Sequence, residues 1–323
     1  MSVGVAELPP GPNLDPLADE EAVARSPTAL FVRRFRRDHL AVGAACFIVL
    51  LVLVAIFAPL LVKALGLPGP NTPNLRALDS FGSPAGPSGA HPFGVDPLGR
   101  DVLSRVIYGS RVSLEVAFIS TGAAVVIGTL VGMLAGYYRG WVDTALSRLM
   151  DVVLAFPLLL LAIGLASACT LGKGCLGGAI KPGLSVLIVV IAIASWPYIG
   201  RIVRGQVLSL REREFVEAAR SLGASDMRII LREILPNLVA PIIVYASLVL
   251  PTNILFEAAL SYLGVGVQPP TASWGQMIAD ATSIFDTAWW YMVYPGAALV
   301  LSVLAFNLVG DGLQDALNPR ADR

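Results

Sequence analysis

The side chains able to do covalent or metal chemistry are few and scattered. The 323 residues include two histidines and three cysteines. His39 and His91 stand at no metal-ligand spacing, and neither lies beside a nucleophile in a recognisable arrangement. The sequence therefore predicts no catalytic residue and no metal site. Gly172-Lys173-Gly174 lacks the G-x-x-x-x-G-K-[ST] frame of a phosphate-cradling loop, so this chain is expected not to hydrolyse ATP. Cys169 and Cys175 share the segment CTLGKGC. Its glycines let the chain close, so a local disulfide and two free thiols both stay open. Cys46, inside an apolar run, reads as a packing residue.

Other polar side chains have physical rather than covalent chemistry. Asn253 and Glu257 fall near the end of an apolar run, where an ionisable group is costly. They could line a translocation path or hydrogen-bond between helices. Asp151 and Asp311 fall at the ends of such runs and read as solvated or structural. The longest charged interruption in the second half of the chain is 211–236, REREFVEAARSLGASDMRIILREILP. A short helix is predicted from Glu212 to Leu222. Phe215, Leu222 and the small Ala218 and Ala219 give it an apolar, closely approachable face, with Arg213, Glu217 and Arg220 on a charged side. Gly223 follows where a helix ends at positive φ. A second helical run begins near Ser225-Asp226, acidic at its start as the helix dipole prefers. It carries Met227, Ile230, Leu231 and Ile234 up to Pro236. Periodicity alone allows a helix that docks on a partner or one that rests on lipid.

The elements that must position these residues are mostly apolar. The chain is 55% hydrophobic with mean hydropathy +0.72, and only 14% charged against about a quarter in soluble domains. Its formal net charge of +0 gives no field for nucleic acid. Apolar runs at 40–62, 112–136, 152–168, 184–199, 235–260 and 288–309 predict an all-α membrane protein with six transmembrane helices. The first run follows Arg33, Arg34, Arg36 and Arg37. It is too long for a signal-peptide core, so it reads as an uncleaved span. Arginine gathers in the segments that share a side with the N-terminus, which places both termini and 211–236 in the cytoplasm.

The expected organisation is a Pro-rich, acidic tail at 1–30, then the first span and a long extracytoplasmic loop at 31–110. A five-helix core at 111–320 follows, with a polar loop at about 205–236. Within the outer loop, 96–108 has an apolar stripe of Leu98, Val102, Leu103, Val106 and Ile107. That stripe predicts an amphipathic helix lying on the outer membrane surface. Trp196, Trp274, Trp289 and Trp290 fall near span ends, as an interfacial belt would have them.

Glu217-Ala218-Ala219, Gly223 and Leu235-Pro236, in that order and spacing, resemble the EAA motif of ABC-importer permeases. Glu233 stands where that family usually has Ile, with Ile234 beside it. The stretches 91–114 (HPFGVDPLGRDVLSRVIYGSRVSL), 257–278 (EAALSYLGVGVQPPTASWGQMI) and 304–320 (LAFNLVGDGLQDALNPR) resemble the C-type permease of dipeptide/oligopeptide importers, in the peptide/nickel family. The likeness runs from about residue 30 to 320; the N-terminal tail and CTLGKGC lie outside the pattern.

The resemblance implies a type I importer permease of the bacterial inner membrane, with a cytoplasmic coupling helix. Phe215, Glu217, Ala218, Ala219, Arg220, Gly223 and Pro236 would form that coupling element. Partners would be a second similar permease, two ATPase subunits holding ATP and Mg, and an extracytoplasmic binding protein, all in a lipid membrane. Cargo would be dipeptides or longer peptides, with nickel chelates or other small solutes as the alternative. A stand-alone secondary transporter or channel would show inverted repeats or ionisable residues deep in several spans, and the sequence has neither.

Overall fold

A computed structural model describes residues 27–170, 178, 180 and 183–317. Helices dominate it. A short amphipathic helix α1 (Pro27–Arg37) leads into α2 (His39–Ile56), and α3 (Ala58–Ala64) continues from it. A looped segment then runs to α4 (Val102–Tyr137). Next come α5 (Trp141–Ala155), α6 (Leu158–Thr170) and α7 (Leu184–Leu210). The short α8 (Glu214–Ser221) precedes the long α9 (Asp226–Tyr262). Then α10 (Trp274–Ala281) and α11 (Trp290–Leu317) complete the described chain. Among the described residues there is no strand, only isolated bridges such as Leu78–Pro84 and Val95–Asp101.

Five helices, α2, α4, α7, α9 and α11, are long and apolar enough to cross a membrane. The remaining expected span, the third run at 152–168, is not one straight helix. It straddles a bend of 87° between α5 and α6. Pro157 causes the break: its ring pushes the preceding residue out of the α region, and Phe156 is extended at ψ 139°. Counted as one bent span, the pair restores six.

The tightest packing joins α4 to α7. Gly128, Gly132 and Gly136 recur every fourth residue along α4. A Cβ at Gly132 would lie 2.6 Å from the Gly200 carbonyl oxygen, and one at Gly128 2.6 Å from that of Trp196. Backbones this close gain dispersion contacts that lipid cannot match, which is the usual glue between helices in a membrane. Helix α9 lies against both α4 and α7, and α11 packs on α9 and α2.

Two expectations at the 91–114 end are corrected. No separate surface helix occupies 96–108. The segment up to Arg100 is loop, and the stripe Val102–Ile107 forms the first turns of α4 itself. Asp101 caps that helix, accepting from the Ser104 amide at 2.7 Å. Val102 is covered by Met277 and Tyr291, not by lipid. An apolar stripe marks a buried face without saying what covers it, and here the cover comes from far along the chain. The tryptophans differ for the same reason. Trp196, Trp274 and Trp290 are buried, while Trp289 is exposed. Trp274 donates to the Val106 carbonyl and Trp290 to that of Val95, both at 3.1 Å. An indole N–H with a fixed partner serves packing, not an interfacial belt.

Candidate coupling site

The site is built at the opposite end, where α4, α7, α8 and α9 meet. Helix α8 is shorter than the 212–222 expected, because Arg213 is extended (φ −82°, ψ 148°) and serves as its cap residue. Glu214 and Glu217 sit in the first turn and Arg220 in the last, the order the helix dipole favours. The C-terminal stop is as expected. Gly223 has φ +77°. Its amide donates to Arg220 O at 3.0 Å, and that of Ala224 to Ala219 O at 3.1 Å. These two bonds define a Schellman end, which needs a residue free to take positive φ.

The buried face of α8 is not the one periodicity singled out. Val216 is 0% exposed and Ala219 is partly buried, packed with Val207, Ile229, Ile230 and Ile234. Burying Val216 is worth about 1.5–3 kcal/mol. Phe215 is 38% and Leu222 89% exposed, and Ala218, Glu217 and Arg220 also face outward. Phe215, Ala218 and Leu222 stand at i, i+3 and i+7 and so share one side of the helix. The anchor, Val216, was missed because a single valine among charged residues has no periodic partner on so short a helix. The outer face is an apolar strip with a small residue at its centre and charged groups beside it.

Three further contacts hold this end together. Tyr137, the last residue of α4, donates its hydroxyl to Asp226 Oδ1 at 2.6 Å. Arg211 donates to the carbonyls of Tyr137, at 2.6 Å, and Gly136, at 3.2 Å, closing the α4 C-terminus. Arg204 of α7 makes a fork with Asp143 of α5 at 2.5 and 2.8 Å. The Arg139–Glu212 pair is well exposed, so it adds about 0–1 kcal/mol at most. Sequence reasoning had no signal for the Tyr137–Asp226 pair, since 89 residues separate its members.

From the site, α9 leads away as one continuous rod. Its start is unusual: Ile229–Ile234 is a π turn inside the helix. Pro236 explains the widening. Proline lacks an N–H and its ring crowds the carbonyl four residues back, which here is Arg232. A π turn also brings residues i and i+5 onto one side. Ile229 and Ile234 are accordingly both buried, and Glu233, where the resembling motif has Ile, is displaced to a half-exposed position. Asn237 donates to the Glu233 carbonyl at 2.7 Å. Pro236 itself is exposed.

The other sequence candidates lie elsewhere. Asn253 is 1% exposed. It donates to Thr121 at 2.9 Å and accepts from Ser195 at 2.8 Å, tying α9 to α4 and α7. Glu257 is 0% exposed, with Ser261 donating to its Oε1 at 2.8 Å. The Ser261 hydroxyl in turn accepts from the Val267 amide at 3.1 Å, pinning the loop before α10. Neither side chain reaches a surface of the chain. Asn253 makes interhelical hydrogen bonds, whereas Glu257 is bonded within α9 to Ser261, and its Oε2 is buried without a partner among the described residues. Cys169 is buried and disulfide-bonded, and Cys175 lies outside the described residues. Cys46 is exposed, not packed within the chain. Asp151, half-exposed, pairs with Arg201 at 2.5 Å.

Comparison with known proteins identifies this architecture. Residues 128–323 match the family model described as binding-protein-dependent transport system inner membrane component. Residues 26–80 match the N-terminal TM domain of oligopeptide transport permease C. The dipeptide transport system permease protein DppC of Alkalihalophilus pseudofirmus is 40% identical over 313 residues, covering 97% of this chain and 96% of its own. The glutathione transport system permease protein GsiD of Escherichia coli is 44% identical over 308 residues, covering 95% of each. Among solved structures, the inward-facing MetNI methionine ABC transporter superposes with a TM-score of 0.55 at 23% identity, covering 67% of this chain and 97% of that one. That likeness concerns the fold alone. On these matches the chain belongs to the family of inner-membrane permease components of binding-protein-dependent ABC importers, in its peptide permease C branch.

Proposed function

We propose that this chain forms half of a translocation pathway for short peptides and that α8 transmits the motion of a partner ATPase to the spans. The observation that carries the coupling role is the division of α8 into two faces. Val216 and Ala219 anchor it to α7 and α9, while Phe215, Ala218 and Leu222 are left uncovered. A docked partner would cover that strip, and Ala218 would let its backbone approach closely. Only Leu222 to Ser225 separate α8 from α9, so a push on α8 reaches the α9 rod with little slack.

The peptide assignment rests on the relatives, one a dipeptide permease and one a permease for glutathione, itself a small peptide. These relatives do not favour the alternative of nickel chelates or other solutes. The partners proposed are a second similar permease, two cytoplasmic ATPase subunits that bind ATP and Mg, and an extracytoplasmic binding protein. Both termini are placed in the cytoplasm of a bacterium, with the chain in its inner membrane. Alternating access then needs two arrangements close in energy, each favoured by a different ligand. The chain itself is given no catalytic role.

The test is co-purification with the products of neighbouring genes, followed by ATPase assay in liposomes. Dipeptide or glutathione, with binding protein, should raise the ATPase rate. No stimulation by any peptide would remove the peptide assignment and leave the family intact.

A further inference from the structure

Of the four arginines of helix α1, Arg33, Arg36 and Arg37 make no ion pair among the described residues. The helix sequence, PTALFVRRFRR, contains no acidic residue. At 3.6 residues per turn, Phe31 and Phe35 share one side, and Arg33, Arg36 and Arg37 fall within an arc of about 100° on the other. The phenyl rings stack with centroids 6.2 Å apart. Phe35 also approaches α11: a Cβ at Gly312 would lie 3.4 Å from its ring. The aromatic side is thus fastened to the body of the protein. Arg33, Arg36 and Arg37 are exposed, and among the described residues none of the three makes an ion pair.

The position of this helix decides what it meets. Asp38 accepts from the amides of Leu40 and Ala41, both at 3.0 Å, and so caps α2 directly after α1. The span α2 starts at His39. Helix α1 is therefore fixed within one residue of the end of a membrane span, at the depth of the lipid headgroups. That holds whichever side of the membrane this end occupies. A short amphipathic helix with a cationic side at that depth attracts anionic lipid, with each arginine adding to the affinity.

We propose that Arg33, Arg36 and Arg37 form a binding surface for anionic phospholipid headgroups, which fastens the α1–α11 contact to the bilayer. Phosphodiester headgroups complement the three cations, and among the described residues no carboxylate pairs with any of them.

The test uses the full chain, purified in detergent and offered phosphatidylglycerol or phosphatidylcholine, with bound lipid read by native mass spectrometry. The wild type should retain phosphatidylglycerol preferentially. The triple variant R33Q/R36Q/R37Q should lose that preference by roughly tenfold or more. R33K/R36K/R37K should keep most of it, since attraction to a headgroup needs the charge more than the guanidinium fork. Equal preference in the Gln variant and the wild type would overturn the proposal. So would a Lys variant as deficient as the Gln variant, because shape and not charge would then be at stake. Release of a co-purifying ATPase with lipid preference unchanged would assign the surface to a protein partner instead.

Discussion

A valine in place of Gly223 would hold a Cβ at a backbone φ of +77°, a conformation that costs an L residue about 1–2 kcal/mol, and a β-branched one more. The cost falls on the Schellman end of α8, which has open space around Gly223 and no span to disturb. Gly223→Val should therefore lower transport about tenfold or more while membrane insertion stays normal, and Gly223→Asn, which tolerates positive φ, should retain most of it. Transport per inserted chain is the measurement. Asn253 poses a different question. Asn253→Leu leaves Thr121 and Ser195 without their partner inside the bundle. A loss of about 1 kcal/mol is expected, seen as a lower midpoint of thermal unfolding in detergent. Had Asn253 lined an open path, the same change would alter transport without moving that midpoint.

At the scale of elements, the glycine row of α4 offers an internal comparison. A Cβ at Gly132 would meet the Gly200 carbonyl at 2.6 Å, whereas one at Gly122 finds nothing within 4 Å. Gly132→Val should cost about 3 kcal/mol and reduce the monodisperse fraction on size exclusion. Gly122→Ala should be neutral or slightly stabilising. Apolar length made α2, α4, α7, α9 and α11 legible in the sequence, because a helix must be long enough to cross the bilayer. It could not show that α5 and α6 meet at 87°, since hydropathy has no direction and Pro157 marks a break without an angle. Nor could it show that Val102 is covered by Met277 and Tyr291, which lie far along the chain. Gly223 was legible because a helix stop has local chemistry. Val216 was not, because its burial depends on α7 and α9.

For the molecule as a whole, the proposed role of α8 is to link a partner ATPase to the spans through its uncovered strip. The double variant F215D/A218R places charge and bulk on that strip. It leaves Val216, Gly223 and the Tyr137–Asp226 bond in place. The most direct measurement is the amount of ATPase subunit that co-purifies with the tagged chain, read beside transport in proteoliposomes. Bound ATPase should fall at least about tenfold, the size expected when charges are buried unpaired at an apolar contact. Transport should fall with it, while thermal unfolding of the chain stays unchanged. Bound ATPase and transport both at wild-type levels would contradict the proposed role.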